Sequence, residues 1–144
     1  MTRVMIVEDE YLVRVGLRTC MDWAAHGLEL LDDAADGEEA YCQIVKNKPD
    51  VLLLDLMIPK MDGFALMDRL AADGIHLNII ILSCCDDFES VRAALQRGVL
   101  DYINKLTMSP TELLQVFEKA LAMPRSQYPE GLADSRPAPD GSAL

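Results

Sequence analysis

The segment Val51–Asp55, with the sequence VLLLD, is a run in which every residue before the acid is apolar. A strand with one face in water alternates apolar and polar residues, so this run predicts a strand buried on both faces. Such strands lie at the centre of parallel sheets that are covered by helices on both sides. A buried carboxylate is costly unless it is paired or has a chemical role, which makes Asp55 the first candidate functional residue.

Short strand-like runs alternate with amphipathic helical patterns along most of the chain. Capping residues mark several helix starts, as in the stretch Ser109-Pro110-Thr111-Glu112. Five alternating units predict an α/β fold in which helices cover both faces of one doubly wound, five-stranded parallel sheet. The predicted strands are Val4–Val7, Leu28–Asp33, Val51–Asp55, Asn78–Leu82 and Leu100–Ile103, and the predicted helices cover residues 10–21, 37–47, 62–72, 86–97 and 109–122.

Composition excludes several classes of function. The net charge of −11 argues against direct binding of nucleic acid, which requires a basic patch. No apolar run approaches the ~20 residues of a membrane span, and acids stand where a secretion signal would have its cleavage site. We therefore expect a cytoplasmic protein that does not contact membranes.

The composition changes after Met123. Residues 124–144 hold four of the seven prolines and show neither a helical nor a strand period. The folded domain is therefore predicted to cover residues 1–123. Residues 124–144 are predicted to be a disordered tail or the start of a linker to an effector domain that this chain does not include.

Residues suited to chemistry follow four of the predicted strands. Glu8 and Asp9 follow the first, Asp55 ends the third, Ser83 follows the fourth and Lys105 follows the fifth. The carboxyl ends of parallel strands meet at one edge of the sheet, so these side chains should converge. Clustered carboxylates attract cations, and Mg²⁺ characteristically binds one or two carboxylates together with waters and a phosphate. The pattern predicts a phosphoryl-transfer site that uses Mg²⁺.

Three segments closely resemble the receiver domain of two-component response regulators, over about residues 1–123. They are MIVEDE, LLLDLMIPKMDGF and IILSCCDDFESVRAALQRGVLDYINK. The resemblance implies a flavodoxin-like (βα)5 fold with strand order 2-1-3-4-5. It also implies that Asp55 accepts a phosphoryl group from a phosphohistidine on a sensor histidine kinase.

The same resemblance implies roles for the other site residues. Asp9, Asp55 and the backbone carbonyl of Met57 would hold Mg²⁺ directly, and Glu8 would act directly or through a water molecule. Lys105 would pair with the phosphoryl oxygens. Ser83 and Tyr102 would act as the switch, because both would move toward the phosphoryl group. Their movement would rearrange the face formed by the fourth helix, fifth strand and fifth helix.

Residues near the lysine refine the comparison. The family usually has proline after the lysine, joined by a cis bond, whereas this chain has Leu106. A cis bond before a non-proline residue costs about 2.5–4 kcal/mol, so a trans Lys105–Leu106 bond or a locally reshaped loop is predicted. The segment KLTMSP, with CMDWAAHGLEL and LSCCDDFESV, is similar to receivers of AraC-type helix-turn-helix regulators. That similarity implies a homodimer on phosphorylation and DNA binding only through an effector domain.

Three functions are consistent with these patterns. The first is a phosphorylation-dependent switch that controls a DNA-binding effector and catalyses only its own phosphorylation and dephosphorylation. The second is a stand-alone receiver that acts through protein–protein contacts. The third is a Mg²⁺-dependent phosphohydrolase of the haloacid-dehalogenase type. That enzyme class needs a second acid two positions after the nucleophile, where this chain has Met57.

Overall fold

A computed structural model describes residues 1–84, 87–124 and 126–130 of the chain. This part contains five strands, five α-helices and one short 3-10 helix, Ala24–His26. The strands are β1 (Thr2–Val7), β2 (Leu28–Leu30), β3 (Val51–Asp55), β4 (Asn78–Ser83) and β5 (Asp101–Asn104). The helices are α1 (Tyr11–Thr19), α2 (Gly37–Asn47), α3 (Gly63–Ala72), α4 (Phe88–Gln96) and α5 (Pro110–Leu121). No helix among these is long and apolar enough to span a lipid bilayer.

The strands form one parallel sheet in the order β2-β1-β3-β4-β5. This order confirms the predicted doubly wound fold. β3 lies at the centre of the sheet, and all five of its residues are buried. In the register of the central strands, Val7 lies beside Leu54 and Asp55 lies beside Leu82. The ends of β1, β3 and β4 therefore lie at the same edge.

Two apolar layers cover the faces of the sheet. Alternate residues of each strand point to opposite faces, so Leu52 and Leu54 of β3 face one layer while Val51 and Leu53 face the other. The first layer receives side chains of α2, α3 and α4, including Ile44, Leu66 and Ala94. The second receives side chains of α1 and α5, including Leu17, Leu113 and Phe117. Burial on both faces of the sheet explains why β3 is apolar up to Asp55.

Helix ends follow the local sequence signals in most cases. Ser109 accepts the Glu112 N–H at 3.2 Å and Asp36 accepts the Glu39 N–H at 2.7 Å, as capping residues do. Gly74 and Gly98 end α3 and α4 with φ values of 76° and 95°, which glycine adopts without strain. The expected α4 cap Asp86 lies outside the described residues.

Strand β2 is shorter than predicted. It ends at Leu30 instead of Asp33. The Asp33 carboxylate pairs with Arg18 of α1 at 2.8 Å, and Ala34 makes an isolated bridge to Val7. The strand pairing is therefore interrupted between Leu30 and Ala34, where Arg18 of α1 binds both the Leu31 carbonyl oxygen and the Asp33 carboxylate.

The packed part of the chain continues past Met123, where the sequence predicted the start of a tail. Gln127 and His76 exchange two backbone hydrogen bonds of 2.9 Å in an antiparallel bridge. The Tyr128 hydroxyl donates to the Pro49 carbonyl oxygen at 2.6 Å, and its ring packs against the α2–α3 side of the core. The prediction of an unstructured tail thus differs from the structure at residues 124 and 126–130. Residues 131–144 lie outside the described part.

Candidate functional site

Three carboxylates meet at the carboxyl edge of the sheet. Glu8 and Asp9 follow β1, and Asp55 ends the adjacent strand β3. One ligand oxygen of each lies within 4.8 Å of the others. Glu8 is fully buried and Asp55 is 4% exposed, whereas Asp9 is exposed to solvent. The sequence prediction that these acids converge is thus matched by the geometry.

The Lys105 ammonium group lies among these acids. Its Nζ is 3.0 Å from Glu8 Oε1, 3.0 Å from Asp55 Oδ2 and 3.3 Å from Glu10 Oε1. The Lys105 side chain is only 8% exposed, so water screens these ion pairs weakly. Its backbone is fixed by donation of the Lys105 N–H to the Ser83 carbonyl oxygen at 2.9 Å. The lysine therefore neutralises part of the buried negative charge.

Burial and charge perturb both partners of the Glu8–Lys105 pair. Burial raises the pKa of Glu8 to about 7, and the Asp55 carboxylate adds to the rise, while a hydrogen bond from the Glu10 backbone and contact with Lys105 oppose it. Burial by itself would lower the pKa of Lys105, but hydrogen bonds to Asp55 and Glu8 outweigh it and raise that pKa. The lysine stays charged, whereas Glu8 is poised to exchange a proton near neutral pH.

Backbone groups orient the two buried carboxylates. Asp55 Oδ1 accepts the Met57 N–H at 3.0 Å, while Oδ2 faces Lys105. Glu8 Oε2 accepts the Glu10 N–H at 3.0 Å, while Oε1 faces Lys105. Met57 also belongs to the predicted metal ligands through its carbonyl oxygen, and that role stays a prediction. Its side chain is exposed and carries no acid.

The two predicted switch residues line one cavity beside the acids. Ser83 is buried at the end of β4, directly after the residue that pairs with Asp55. Tyr102 lies on β5 and is 48% exposed. Both contribute to a cavity of about 470 Å³ that Phe88 and Asn104 also line. A side chain at position 102 therefore has space to change its position.

The donor set fits a hard divalent cation. Carboxylate oxygens are the ligands that Mg²⁺ prefers, and a bound cation would offset the repulsion among three clustered acids. An exposed Asp9 beside the buried Glu8 and Asp55 leaves one side of the cluster open to solvent. The cluster could therefore hold a metal ion that solvent reaches from that side.

Residues 4–118 match the family described as the response regulator receiver domain. The chain belongs to this family. Receiver domains are signalling domains of two-component systems, are phosphorylated by sensor histidine kinases and bind Mg²⁺ at an acidic cluster. In this receiver domain the cluster is Glu8, Asp9 and Asp55.

Curated relatives are response regulators. The transcriptional regulatory protein HptR of Staphylococcus aureus (strain N315) is 35% identical over 105 residues, which cover 73% of this chain and 41% of HptR. The response regulator MprA of Mycobacterium bovis (strain BCG / Pasteur 1173P2) is 33% identical over 133 residues, covering 92% of this chain and 55% of MprA. The receiver thus spans about half the length of these relatives.

Solved structures support the same assignment. The REC domain of AraT, a response regulator from Geobacillus stearothermophilus, superposes with a TM-score of 0.74 at 32% identity and covers 83% of this chain and 93% of that chain. CheY in the CheX-CheY-BeF3-Mg²⁺ complex from Borrelia burgdorferi is also similar. It gives a TM-score of 0.73 at 26% identity, covering 85% of this chain and 90% of that chain.

Sequence reasoning missed two residues that support the receiver site. Glu10 is a third carboxylate on Lys105, and its backbone N–H orients Glu8. Arg14 of α1 donates from Nη1 to the Glu8 carbonyl oxygen at 2.7 Å. The run of three acids at positions 8–10 signalled Glu10. The peptide bond before Leu106 is trans, as predicted.

Proposed function

We propose that Asp55 is the phosphoacceptor of a phosphorylation-dependent signalling switch. The arrangement of Asp55 itself carries this proposal. It is buried at the end of the central strand, one carboxylate oxygen accepts a backbone N–H, and the other lies 3.0 Å from Lys105. A carboxylate held in this way presents a fixed oxygen to an incoming phosphorus atom.

The proposed reaction is a phosphoryl transfer from the imidazole of a phosphohistidine on a sensor histidine kinase. An Asp55 oxygen forms the new bond to phosphorus as the phosphorus–nitrogen bond breaks. The electron pair of that bond stays on the imidazole nitrogen, which then takes a proton. The product is an aspartyl phosphate. In this proposal Lys105 pairs with the phosphoryl oxygens and Ser83 donates its hydroxyl to one of them.

Glu8, Asp9, Asp55 and the Met57 carbonyl oxygen would hold Mg²⁺ in this proposal. When bound, the ion supplies positive charge that offsets the charge building up on the transferred group. The acidic cluster supports this ligand set. The similarity to a CheY whose complex contains Mg²⁺ and BeF3 supports it further. Because Glu8 has a raised pKa, loading the site requires loss of its proton.

The output of the switch would be a change in the face formed by α4, β5 and α5. Ser83 and Tyr102 line the cavity on that face, so a shift of Ser83 toward a phosphoryl group would let Tyr102 turn inward. We propose that this change favours a homodimer and controls a DNA-binding effector domain. The transcriptional regulator among the relatives supports this. We propose that the switch acts in the cytoplasm.

The test is covalent labelling at Asp55. The receiver is incubated with acetyl phosphate and Mg²⁺, and intact-mass spectrometry should show one added phosphoryl group. Asp55→Asn should abolish the addition. Asp68→Asn, at an exposed acid of α3, is the matched control and should label like the parent. An unlabelled parent, or labelling retained in Asp55→Asn, would overturn the proposal. Sustained turnover of p-nitrophenyl phosphate would instead favour a phosphohydrolase.

A further inference from the structure

The connection between β2 and α2 contacts both chain segments that carry the acidic cluster. On the β1 side, the Ala34 N–H donates to the Ile6 carbonyl oxygen at 3.0 Å. The Glu8 N–H in turn donates to the Ala34 carbonyl oxygen at 3.0 Å. These two bonds continue the ladder of the sheet up to the first acid. The position of Glu8 therefore depends on where residue 34 lies.

On the β3 side, the contact is made by Gly37 at the start of α2. Its N–H donates to the Pro59 carbonyl oxygen at 3.3 Å. A Cβ atom at position 37 would lie 1.8 Å from the Met61 carbonyl oxygen and 2.6 Å from Met61 Cβ. Both distances are far below van der Waals contact, so only glycine fits there without moving the backbone of residues 59–61. That backbone belongs to the loop that follows Asp55 and includes Met57.

Neighbouring contacts fix the helix side of this approach more firmly than the loop side. Lys60 has a left-handed φ of 70°, and its Nζ lies 3.6 Å from Asp36 Oδ2. Asp36 also caps α2 through the Glu39 N–H, and Glu39 Oε1 accepts the Ala35 N–H at 2.7 Å. These reciprocal bonds fix the first turn of α2. A clash at position 37 would therefore be relieved by the loop of residues 57–61 rather than by the helix end.

We infer that Gly37 is a positioning residue for the metal site. It lets the start of α2 hold the loop of residues 57–61 at the distance that brings Asp55 and Met57 together with Glu8 and Asp9. Gly37 touches none of the proposed ligands and acts only through Pro59 and Met61. The inference rests on the proposed function, since it assigns a cause to the geometry of that metal site.

The first experiment compares Gly37→Ala with Gly16→Ala. Gly16 is an exposed residue of α1, and a Cβ atom there would meet nothing within 4 Å. This variant therefore controls for the replacement of glycine by alanine. Mg²⁺ affinity is measured by calorimetry, and labelling by acetyl phosphate is followed as the Mg²⁺ concentration is raised.

Gly37→Ala should weaken Mg²⁺ binding about tenfold, as loss of a group that supports metal ligands typically does. Its labelling rate should recover at saturating Mg²⁺, because Asp55 and Lys105 are unchanged. Gly16→Ala should match the parent.

The second experiment needs no variant, so it decides the matter if Gly37→Ala does not fold. Amide hydrogen exchange is compared in the parent with and without Mg²⁺ and beryllofluoride. The amides of residues 37–40 should exchange more slowly in the loaded protein, although none of them is a proposed ligand. Unchanged exchange there, or a folded Gly37→Ala with the parent's Mg²⁺ affinity, would overturn the inference. A parent protein that neither binds Mg²⁺ nor becomes labelled would instead contradict the proposed function on which this inference rests.

Discussion

Lys105 Nζ lies 3.0 Å from Asp55 Oδ2, although the two residues are 50 positions apart in the chain. The same nitrogen lies 3.0 Å from Glu8 Oε1, so one buried cation serves two buried anions. The lysine that is proposed to meet the phosphoryl group therefore also supplies counter-charge to the two buried acids. Stability and phosphoryl chemistry are coupled through this one side chain.

Replacing Lys105 with methionine should destabilise the metal-free receiver by about 3 kcal/mol, because it leaves two buried carboxylates without a counter-charge. The loss should shrink as the pH falls to about 5, since Glu8 has a pKa near 7 and can take up a proton. Urea unfolding at several pH values measures both effects. Lys119→Met is the control, because Lys119 forms an exposed ion pair with Asp101. Its replacement should lower the free energy of unfolding by less than about 0.5 kcal/mol. Equal losses in the two variants would contradict the assigned role of Lys105.

Glu8 should make the metal-free receiver less stable as the pH rises from about 4.5 to about 7. Its folded-state pKa is raised to about 7 from an ordinary 4.5, so the folded state binds the proton more tightly, and that stabilisation is lost as the pH passes the folded-state pKa. Glu8→Gln should therefore be more stable than the parent by about 1–2 kcal/mol at pH 8, with the difference vanishing near pH 4.5. The same variant should bind Mg²⁺ more weakly.

Unfolding with urea between pH 4.5 and 8, in the presence of a metal chelator, measures this difference. Glu118→Gln, at an exposed position of α5, should show no such pH dependence. A Glu8→Gln variant that is less stable than the parent at pH 8 would show that the charged Glu8–Lys105 pair outweighs the cost of burial.

The sequence was sufficient to predict that the ends of β1 and β3 bring acids together. Glu8 and Asp55 could be placed together because β1 and β3 are parallel neighbours, and the carboxyl ends of such strands share an edge. The apolar character of Val51–Asp55 placed that strand at the sheet centre, because a strand buried on both faces has few polar residues. These features depend on periodicity, which a single sequence displays directly.

Other features depend on contacts between distant residues that have no periodic signal. The approach of Gly37 to Met61 can be seen only when both backbones are placed. The packing of Tyr128 was hidden because nearby prolines suggest an unstructured tail, whereas one partly buried aromatic ring anchors the segment. β2 ends early where Arg18 of α1 binds the Leu31 carbonyl oxygen and the Asp33 carboxylate.

The segment after α5 should contribute to the stability of the receiver. Tyr128→Phe should cost about 1 kcal/mol, because the Pro49 carbonyl oxygen loses its hydrogen bond, and Tyr128→Ala should cost about 3 kcal/mol because the ring leaves a cavity. Chemical unfolding measures both losses. Tyr11→Phe is the matched control, since Tyr11 is exposed and its replacement should leave the free energy of unfolding unchanged. A chain ending at residue 123 with the stability of one ending at residue 130 would contradict the prediction.

Dimerisation on phosphorylation should depend on the exposed apolar residues of α4 and β5. Phe88 is 77% exposed and lines the same cavity as Tyr102, and exposed apolar groups that cluster in this way mark interaction surfaces. With Mg²⁺ and beryllofluoride, sedimentation should show a dimer for the parent and a monomer for Phe88→Asp, because a dimer would bury the new charge. Leu12→Asp, at a residue of α1 that is 79% exposed, should still dimerise. If Leu12→Asp breaks the dimer and Phe88→Asp does not, the contact lies on α1, and the proposed output face is wrong.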